Sequence, residues 1–371
     1  MRKSKVREIV PDVPQGLEVG LRNYWYPILQ SEELPADAPV GMTVLGEDLV
    51  VWRDGAGAPQ AIIGHCPHRN TRLSVGRILD GHIQCLFHGL RFNGQGRCTL
   101  IPWDLDNEQL RDELAVPSYP AEELGGYIWA YLGNAEEFPP PPLADEVPEE
   151  LLDEENFVWF KVPTEIWNAN WLLTLDGQDA YHSVPLHAGS QAVPSANGGD
   201  PVTMADRRIK IVETSYGIRA LSTDLAGEIL DQGHFTDVKG DRFVLPCLST
   251  NPVRPRVGMD PYNVRVWQMP IDDKRTLVAR FLSFRATGAE DRARLRKFFD
   301  EIALPRGSKV SAEDALIAEA QGDLVAARAN EYLFKADLET VKLRRLLKKA
   351  FLDQKDGKRL AIPKQALAFP V

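Results

Sequence analysis

The sequence predicts an α+β protein of two domains, in which an all-β domain precedes a domain of antiparallel sheet and helices. Three observations support this prediction. Short β-type segments fill the first third of the chain, consecutive prolines lie near residue 140, and helical patterns return toward the C-terminus. The length of 371 residues also exceeds what one compact core usually holds.

The first predicted domain occupies the region 42–135 and consists of short strands separated by turns. Segments 42–51, 60–63 and 126–132 are rich in aliphatic, β-branched or aromatic residues. Asn93 and Gly94 form a dipeptide that favours hairpin turns. We therefore expect this part of the chain to be all-β.

A stiff linker separates the two predicted domains. Residues 139–142 are all proline, and an acidic stretch follows at 145–155. Consecutive prolines hold a chain extended and cannot continue a sheet ladder, because proline has no backbone N–H to donate. The sequence therefore predicts a domain boundary near residue 140.

The second predicted domain combines strands and helices. Trp167, Trp171 and Leu175 recur at the four-residue spacing of a helix face. The predicted strands are 208–213, 216–223, 264–269 and 276–284. The predicted helices are 289–303, 311–329 and 337–352, the last with the basic run 342–349 on its polar face.

Composition and charge limit the function classes. A net charge of -10 argues against a nucleic-acid-binding protein, which needs clustered Lys and Arg. No segment approaches the ~20 consecutive apolar residues of a membrane helix, and the N-terminus does not resemble a signal peptide. The four cysteines are too few for a disulfide scaffold, so we expect a reducing cytoplasmic location.

Two short motifs in the first domain predict a metal site. Cys66 and His68 form a C-x-H group, and Cys85 and His88 form a C-x-x-H group further along. Each cysteine has its own histidine, whereas common zinc fingers group the two cysteines apart from the two histidines. This order allows both thiolates to bind one iron and both imidazoles another. A structural zinc site is the alternative.

These motifs resemble the Rieske [2Fe–2S] motif. Their surroundings, including residues 21–27, resemble Rieske non-haem iron oxygenases of the vanillate demethylase, dicamba monooxygenase and carbazole dioxygenase type. The resemblance implies that Cys66 and Cys85 bind one iron and that His68 and His88 bind the other. Imidazole ligands raise the cluster potential above that of an all-cysteine cluster, which suits an acceptor of electrons from a ferredoxin or reductase.

A second motif, D-x-x-H-x-x-x-x-H, predicts another metal site in the second domain. Asp179 and His182 share a face if the segment is helical, and Pro185 should break that helix and turn His187 back toward the same point. Two imidazoles and one carboxylate on one side of iron leave positions open for dioxygen. Such a pattern also occurs by chance in helices.

This segment resembles the mononuclear-iron motif of the same family. The resemblance implies that His182 and His187 are ligands and that Asp179 bridges toward a Rieske histidine. It implies a third, carboxylate ligand on a C-terminal helix in a pattern similar to D-x-x-x-x-E-x-Q, and Asp314 matches it. Ser311 is expected to be the N-cap of that helix, with Glu313 and Asp300 as rival ligands.

One departure from the family pattern leaves a role open. Where the family usually has Asn, this chain has Asp176, three residues before the bridging Asp179. Asp176 is interpreted either as a carboxylate that supports the site or as an acid on the helix surface.

The resemblance also implies a division into three parts and a helix-grip-like catalytic domain. Residues 1–40 would form an N-terminal segment that joins the catalytic domain, residues 41–137 the Rieske domain, and residues 138–371 the mononuclear-iron catalytic domain. The cofactors implied are a Rieske [2Fe–2S] cluster and mononuclear Fe(II).

The function implied is a terminal oxygenase that inserts oxygen from O2 into an apolar, aromatic substrate by hydroxylation, dihydroxylation or O-demethylation. A ferredoxin or reductase would supply the electrons, and a homotrimer would bring the cluster of one chain to the iron of the next. The alternatives are an amine or alkaloid N-demethylase on the same scaffold, a non-catalytic Rieske electron carrier, and a structural zinc protein. The basic run 342–349 is interpreted as the solvent face of an amphipathic helix, with ferredoxin docking as its alternative.

Overall fold

The structure is a computed structural model that describes residues 13–177, 182–187, 208–223, 243–253 and 261–369. The chain divides into two compact units. The smaller unit is Leu21–Leu143, and the larger unit combines Met1–Gly20 with Ala144–Val371. Residues 21–40 thus belong to the smaller unit, whereas the sequence analysis assigned all of residues 1–40 to a segment joining the larger one.

The smaller unit is built from short antiparallel strands, as predicted. Its elements are β1 (Tyr24–Gln30), β2 (Val40–Val44), β3 (Glu47–Arg53), β4 (Pro59–Ile63), β5 (Arg77–Leu79), β6 (His82–Gln84), β7 (Arg91–Phe92), β8 (Cys98–Leu100), α1 (Glu108–Glu113), β9 (Ser118–Tyr119), β10 (Ala121–Leu124) and β11 (Tyr127–Leu132). The strands form three sheets with the orders β1-β11-β10, β2-β3-β4-β9 and β5-β6-β7-β8. Strand β1 pairs with β11, which fixes residues 24–30 in this unit.

The predicted strand 42–51 is a hairpin of two strands, β2 and β3. Leu45 and Gly46 make the turn at φ 50° and φ 76°. Positive φ is unusual for leucine, so the sequence alone does not signal a turn there. The predicted strands 60–63 and 126–132 are confirmed as β4 and β11.

The larger unit is one antiparallel sheet with helices, as predicted. Its elements are β12 (Phe157–Trp167), α2 (Trp171–Asp176), α3 (Ser183–His187), β13 (Arg208–Glu213), β14 (Gly217–Thr223), β15 (Phe243–Val244), β16 (Leu248–Val253), β17 (Tyr262–Pro270), β18 (Thr276–Arg285), α4 (Gly288–Phe298), α5 (Leu304–Ala320), α6 (Leu324–Asn330) and α7 (Leu338–Lys355). The seven strands have the order β12-β18-β17-β16-β15-β14-β13. The four predicted strands correspond to β13, β14, β17 and β18.

The predicted helix face of Trp167, Trp171 and Leu175 is wrong at its first member. Trp167 is the last residue of β12, and only Trp171 and Leu175 lie on α2. Asn170 separates the two elements as the N-cap of α2, and its side chain accepts a hydrogen bond from the Leu172 N–H.

The predicted N-cap at Ser311 is also wrong, because α5 already begins at Leu304. A π-helical segment, Phe299–Ala303, joins α4 to α5 without a break. Pro305 lies just after this π-helical segment, whose altered hydrogen-bonding pattern accommodates the missing N–H of the proline. The gap between the predicted helices 289–303 and 311–329 is helical in the structure, and the helix continues through Pro305 and Gly307.

Helix α7 is amphipathic, as interpreted from the sequence, except that Arg344 of the basic run is buried. Leu343, Leu346 and Leu347 are buried, while Arg345 and Lys349 are exposed. Within the described parts of the chain, no helix combines the length and apolar character needed to cross a bilayer.

Candidate metal centres

The two C-x-H and C-x-x-H motifs occupy two matching loops of the smaller unit. One loop joins β4 to β5, and the other joins β6 to β7. In the first, Asn70 N donates to Cys66 O at 2.9 Å, and in the second, Gly89 N donates to Cys85 O at 3.0 Å. Asn70 and Gly89 both have positive φ, 56° and 76°. Both loops therefore turn back in the same way after their cysteine.

The side chains of these loops converge. Cys66 and Cys85 are 1% and 2% exposed, and their thiols lie within hydrogen-bonding reach of each other. The His68 and His88 rings lie nearby at a centroid distance of 4.5 Å. His88 Nδ1 is buried and has no hydrogen-bond partner among the described residues. Burying a ring nitrogen without a hydrogen bond costs free energy, and coordination of a metal ion by that nitrogen would remove the cost.

The pKa shifts of the side chains in these two loops are also consistent with metal binding. Burial raises the pKa of the Cys66 thiol to about 11, and Cys85 adds to the effect, while a backbone hydrogen bond from His68 lowers it. A thiol in this environment becomes a thiolate only when a cation compensates its charge. Partial burial lowers the pKa of His88, with His68 and Arg69 adding to the effect, which favours the neutral imidazole that a metal requires.

The tip of the two loops reaches the protein surface of this unit. His68 is exposed, and Leu86 and Phe87 are 48% and 53% exposed. The Arg69 guanidinium lies 5.6 Å from the centre of the Phe87 ring. The cysteines lie in the hydrophobic core beneath the loops, and His68 lies at the exposed tip.

A second group of potential ligands lies in the larger unit. One ligand atom each from His182, His187 and Asp314 lies within 4.8 Å of the others. Asp314 Oδ1 is 3.5 Å from His182 Nε2 and 3.4 Å from His187 Nε2. Oδ1 is buried and accepts no hydrogen bond from the described residues. Two imidazole nitrogens facing one carboxylate oxygen match the donor set of non-haem iron sites.

Local structure explains how these three side chains meet. His182 lies just before α3, and His187 is its last residue. The sequence analysis predicted that Pro185 breaks a helix between His182 and His187. In the structure, Pro185 instead lies within the first turn of α3, where proline is tolerated. Asp314 lies on α5, and one turn earlier Ser311 Oγ donates to Glu165 Oε2 of β12 at 2.6 Å. This hydrogen bond ties α5 to the sheet.

The alternative carboxylate ligands, Asp300 and Glu313, do not occupy the position of Asp314. Asp300 is partly exposed and pairs with Arg296 at 2.7 Å, one turn away. Glu313 contacts His187 on Nδ1, the nitrogen opposite the one that faces Asp314. Asp179 lies outside the described residues.

Asp176, whose role the sequence left open, belongs to an ion-pair network. Its carboxylate accepts hydrogen bonds from Arg344 Nε at 3.1 Å and Arg344 Nη2 at 2.8 Å, and it also contacts Arg328. Glu331 accepts from Arg344 Nη1 at 2.6 Å. Asp176 is therefore not a solvated acid on a helix surface, since it joins the end of α2 to α6 and α7.

The fold and both sites define a protein of the Rieske non-haem iron class. Residues 24–120 match the Rieske [2Fe-2S] domain family, and residues 131–351 match the family described as homotrimeric ring hydroxylases. The chain belongs to this ring hydroxylase family. Its cofactors are a Rieske [2Fe–2S] cluster and a mononuclear iron.

Named relatives agree with the family. The chain is 28% identical to the oxygenase subunit of 3-chlorobenzoate-3,4-dioxygenase from Comamonas testosteroni, over 78% of this chain and 65% of the relative. It is 31% identical to the oxygenase subunit of phthalate 4,5-dioxygenase from Pseudomonas putida, over 71% of this chain and 60% of the relative. The chain thus spans less than two thirds of the length of these relatives.

A solved structure shows the same fold. The reduced complex between oxygenase and ferredoxin in carbazole 1,9a-dioxygenase matches with a TM-score of 0.71 at 24% sequence identity, over 92% of this chain and 94% of that chain. The α+β fold class is therefore confirmed.

We expect Cys85→Ser to remove the cluster and Cys98→Ser to leave it intact. Cys98 is the matched control because it is also a buried thiol of this core, and its Sγ donates to the Leu100 carbonyl oxygen at 3.6 Å. Iron content should fall by about two atoms per chain in Cys85→Ser, with loss of visible absorbance. Equal loss in both variants would contradict the assignment of Cys85.

Proposed function

We propose that this chain is the terminal oxygenase of a multicomponent system, which uses electrons from a partner protein to insert oxygen from O2 into an aromatic substrate. The observation that carries the proposal is the convergence of His182, His187 and Asp314 in the same chain as a Rieske domain. A Rieske electron carrier needs no such second site.

The residues of the chain fit the two cofactors. Cys66 and Cys85 would hold one iron of the cluster, and His68 and His88 the other. His182, His187 and Asp314 would hold the mononuclear iron. When bound, this iron supplies a site where O2 is activated by electrons delivered through the cluster.

The protein contributes ligand position and exclusion of water. His187 is 3% exposed and Asp314 is largely buried, so the ligand atoms face a space sheltered from bulk solvent. Shelter from water directs activated oxygen toward the substrate and away from competing protons. His187 lies on α3, Asp314 lies on α5, and His182 directly precedes α3, so regular backbone structure holds the proposed ligands in position.

The substrate class is supported by the named relatives. Both act, by their names, on aromatic carboxylic acids, 3-chlorobenzoate and phthalate. We therefore infer an aromatic acid as substrate of this chain, with ring hydroxylation, dihydroxylation or demethylation as the outcomes that a product analysis separates. N-demethylation of an amine is a further outcome of the same analysis.

The partners follow from the family and its solved complexes. We infer a homotrimer, since the matched family is described as homotrimeric, and a ferredoxin or reductase as electron donor, since the matched structure is an oxygenase–ferredoxin complex. Head-to-tail contacts that close form such rings. We infer a cytoplasmic location, because four cysteines in 371 residues are too few for a disulfide scaffold.

Iron content and a substrate screen test this function. Anaerobically reconstituted protein should contain about three irons per chain, against about two for an electron carrier. Aromatic acids, aromatic ethers and amines should then be tested for product formation coupled to O2 uptake, with carbazole as a neutral aromatic. Protein that binds only zinc, or that binds three irons and oxidises none of these classes, contradicts the proposal.

We expect Asp179→Asn to retain all three irons and to lower coupled product formation by about 100-fold. The reason is that the family resemblance makes Asp179 the carboxylate that links a cluster histidine of one subunit to the iron site of its neighbour. Rapid mixing of the prereduced variant with O2 and substrate measures the rate of product formation in a single turnover. Wild-type rates in that single turnover would show that electrons take another route.

A further inference from the structure

Two adjacent carboxylates of α5 contact opposite nitrogens of one histidine. Asp314 Oδ1 lies 3.4 Å from His187 Nε2, and Glu313 Oε2 lies 2.7 Å from His187 Nδ1. Adjacent residues of a helix point in different directions, and the ring of His187, the last residue of α3, contacts both carboxylates. The buried His187 occupies that position.

The contact at Nδ1 determines which nitrogen carries the proton. An ionised carboxylate only accepts hydrogen bonds, so Nδ1 must carry the hydrogen that it donates to Glu313. Nε2 then carries the lone pair in the neutral ring, and Nε2 is the atom that faces Asp314 and His182 Nε2. The Glu313 carboxylate thus selects the tautomer that directs a basic nitrogen toward the other ligand atoms.

We propose that Glu313 is a positioning residue for the mononuclear iron, which holds His187 in the ligating tautomer and orientation from the far side of its ring. This inference rests on the proposed function, because it assumes that His187 binds iron there. A carboxylate hydrogen-bonded to a ligating histidine fixes the ring and increases its basicity. Glu313 is thereby removed from the ligand set, in which it was a rival of Asp314.

The surroundings favour this role over that of an incidental ion pair. The His187 side chain is 4% exposed and that of Glu313 is 24% exposed, so the hydrogen bond is shielded from water along most of its length. A hydrogen bond of 2.7 Å to a charged acceptor is in the short, strong range. Solvent-exposed pairs on the same helix run, such as Arg296 with Asp300, restrain no candidate ligand.

The test is the affinity of the larger unit's site for Fe(II) in the full chain, measured by chelator competition under anaerobic conditions. We expect the dissociation constant for the third iron to rise by about 10- to 100-fold in Glu313→Ala. Glu313→Gln should lie between this variant and wild type, since an amide oxygen still accepts the hydrogen bond but brings no charge. The EPR spectrum of the nitric oxide complex should change in Glu313→Ala, which reports a reoriented ligand.

Glu319→Ala is the matched control. Its carboxylate also lies on α5 and also accepts hydrogen bonds, but they come from Asn168 N at 2.8 Å and Asn168 Nδ2 at 3.2 Å. We expect it to leave the affinity for the third iron unchanged.

The outcomes separate this inference from the proposed function. Wild-type affinity in Glu313→Ala, or equal weakening in Glu313→Ala and Glu319→Ala, overturns the positioning role and leaves the function standing. Complete loss of the third iron in Glu313→Ala, together with its retention in Asp314→Ala, makes Glu313 a ligand and overturns the role as well. A wild-type chain that never binds a third iron overturns both.

Discussion

Replacing Asp314 by alanine is expected to empty the mononuclear site while leaving the Rieske cluster in place. Iron content should fall from about three to about two atoms per chain, and product formation should fall to background. The reason is that Asp314 Oδ1 is the point toward which both His182 Nε2 and His187 Nε2 face, at 3.5 and 3.4 Å. Removing it leaves two imidazoles, which no longer form a three-sided site.

Asp300→Ala is the control for this prediction. Asp300 was a rival ligand in the sequence, but its carboxylate is partly exposed and pairs with Arg296. An exposed pair of this kind contributes at most about 1 kcal/mol. The measurements are iron content, the visible spectrum of the cluster and coupled O2 uptake. Three irons in Asp314→Ala, or a third iron lost from Asp300→Ala, would make the ligand assignment wrong.

The parts of the sites that could be predicted are those whose residues lie close in the chain. Cys66 and His68 share one loop and Cys85 and His88 share the other, so the sequence spacing already carries the geometry. Asp314 lies far from His182 and His187 in sequence, and only the family resemblance indicated it. The structure brings these three together.

The parts that could not be predicted depend on contacts between distant residues. The network of Asp176 with Arg328 and Arg344 joins residues more than a hundred positions apart, so no local sequence pattern predicts it. Without those arginines, Asp176 resembles a surface acid of α2. In the structure, two arginines balance the charge of this carboxylate.

The start of α5 and the placement of β1 could not be predicted from the sequence for a related reason. Pro305 and Gly307 carry a strong local signal for a break, yet the helix run continues because the π-helical segment before them accommodates the proline. Strand β1 lies in the smaller unit, whereas the sequence analysis placed it in the N-terminal segment, because its partner β11 follows about a hundred residues later. Local propensity was outweighed in both cases by tertiary packing.

Breaking a buried ion pair of the larger unit is expected to lower the free energy of unfolding strongly. Glu150 and Arg265 are both fully buried, and Arg265 Nε and Nη2 each donate to the Glu150 carboxylate at 3.1 Å. Asn263 and Ser283 donate to the same carboxylate, at 3.2 and 3.0 Å. The network therefore connects β17 and β18 to the segment that precedes β12.

The same arginine fixes the C-terminal tail. Arg265 Nη2 donates to the carbonyl oxygens of Leu367 and Ala368, at 3.1 and 2.9 Å, and Nη1 donates to Thr250 Oγ1 at 2.8 Å. Every side of the guanidinium thus has an acceptor, and a buried cation that loses its counter-ion cannot be rehydrated without opening the sheet.

Glu150→Ala should accordingly lower the free energy of unfolding of the larger unit by about 3–5 kcal/mol, because it leaves the Arg265 charge buried without its counter-ion. Asp272→Ala, which breaks the exposed pair with Arg275 at 2.6 Å, should cost at most about 1 kcal/mol. Urea denaturation followed by circular dichroism measures both. A double variant, Glu150→Met with Arg265→Met, isolates the cause: it removes both charges and should recover much of the loss. If the double variant is as unstable as Glu150→Ala, the lost hydrogen bonds to Asn263 and to the C-terminal carbonyls outweigh the unpaired charge.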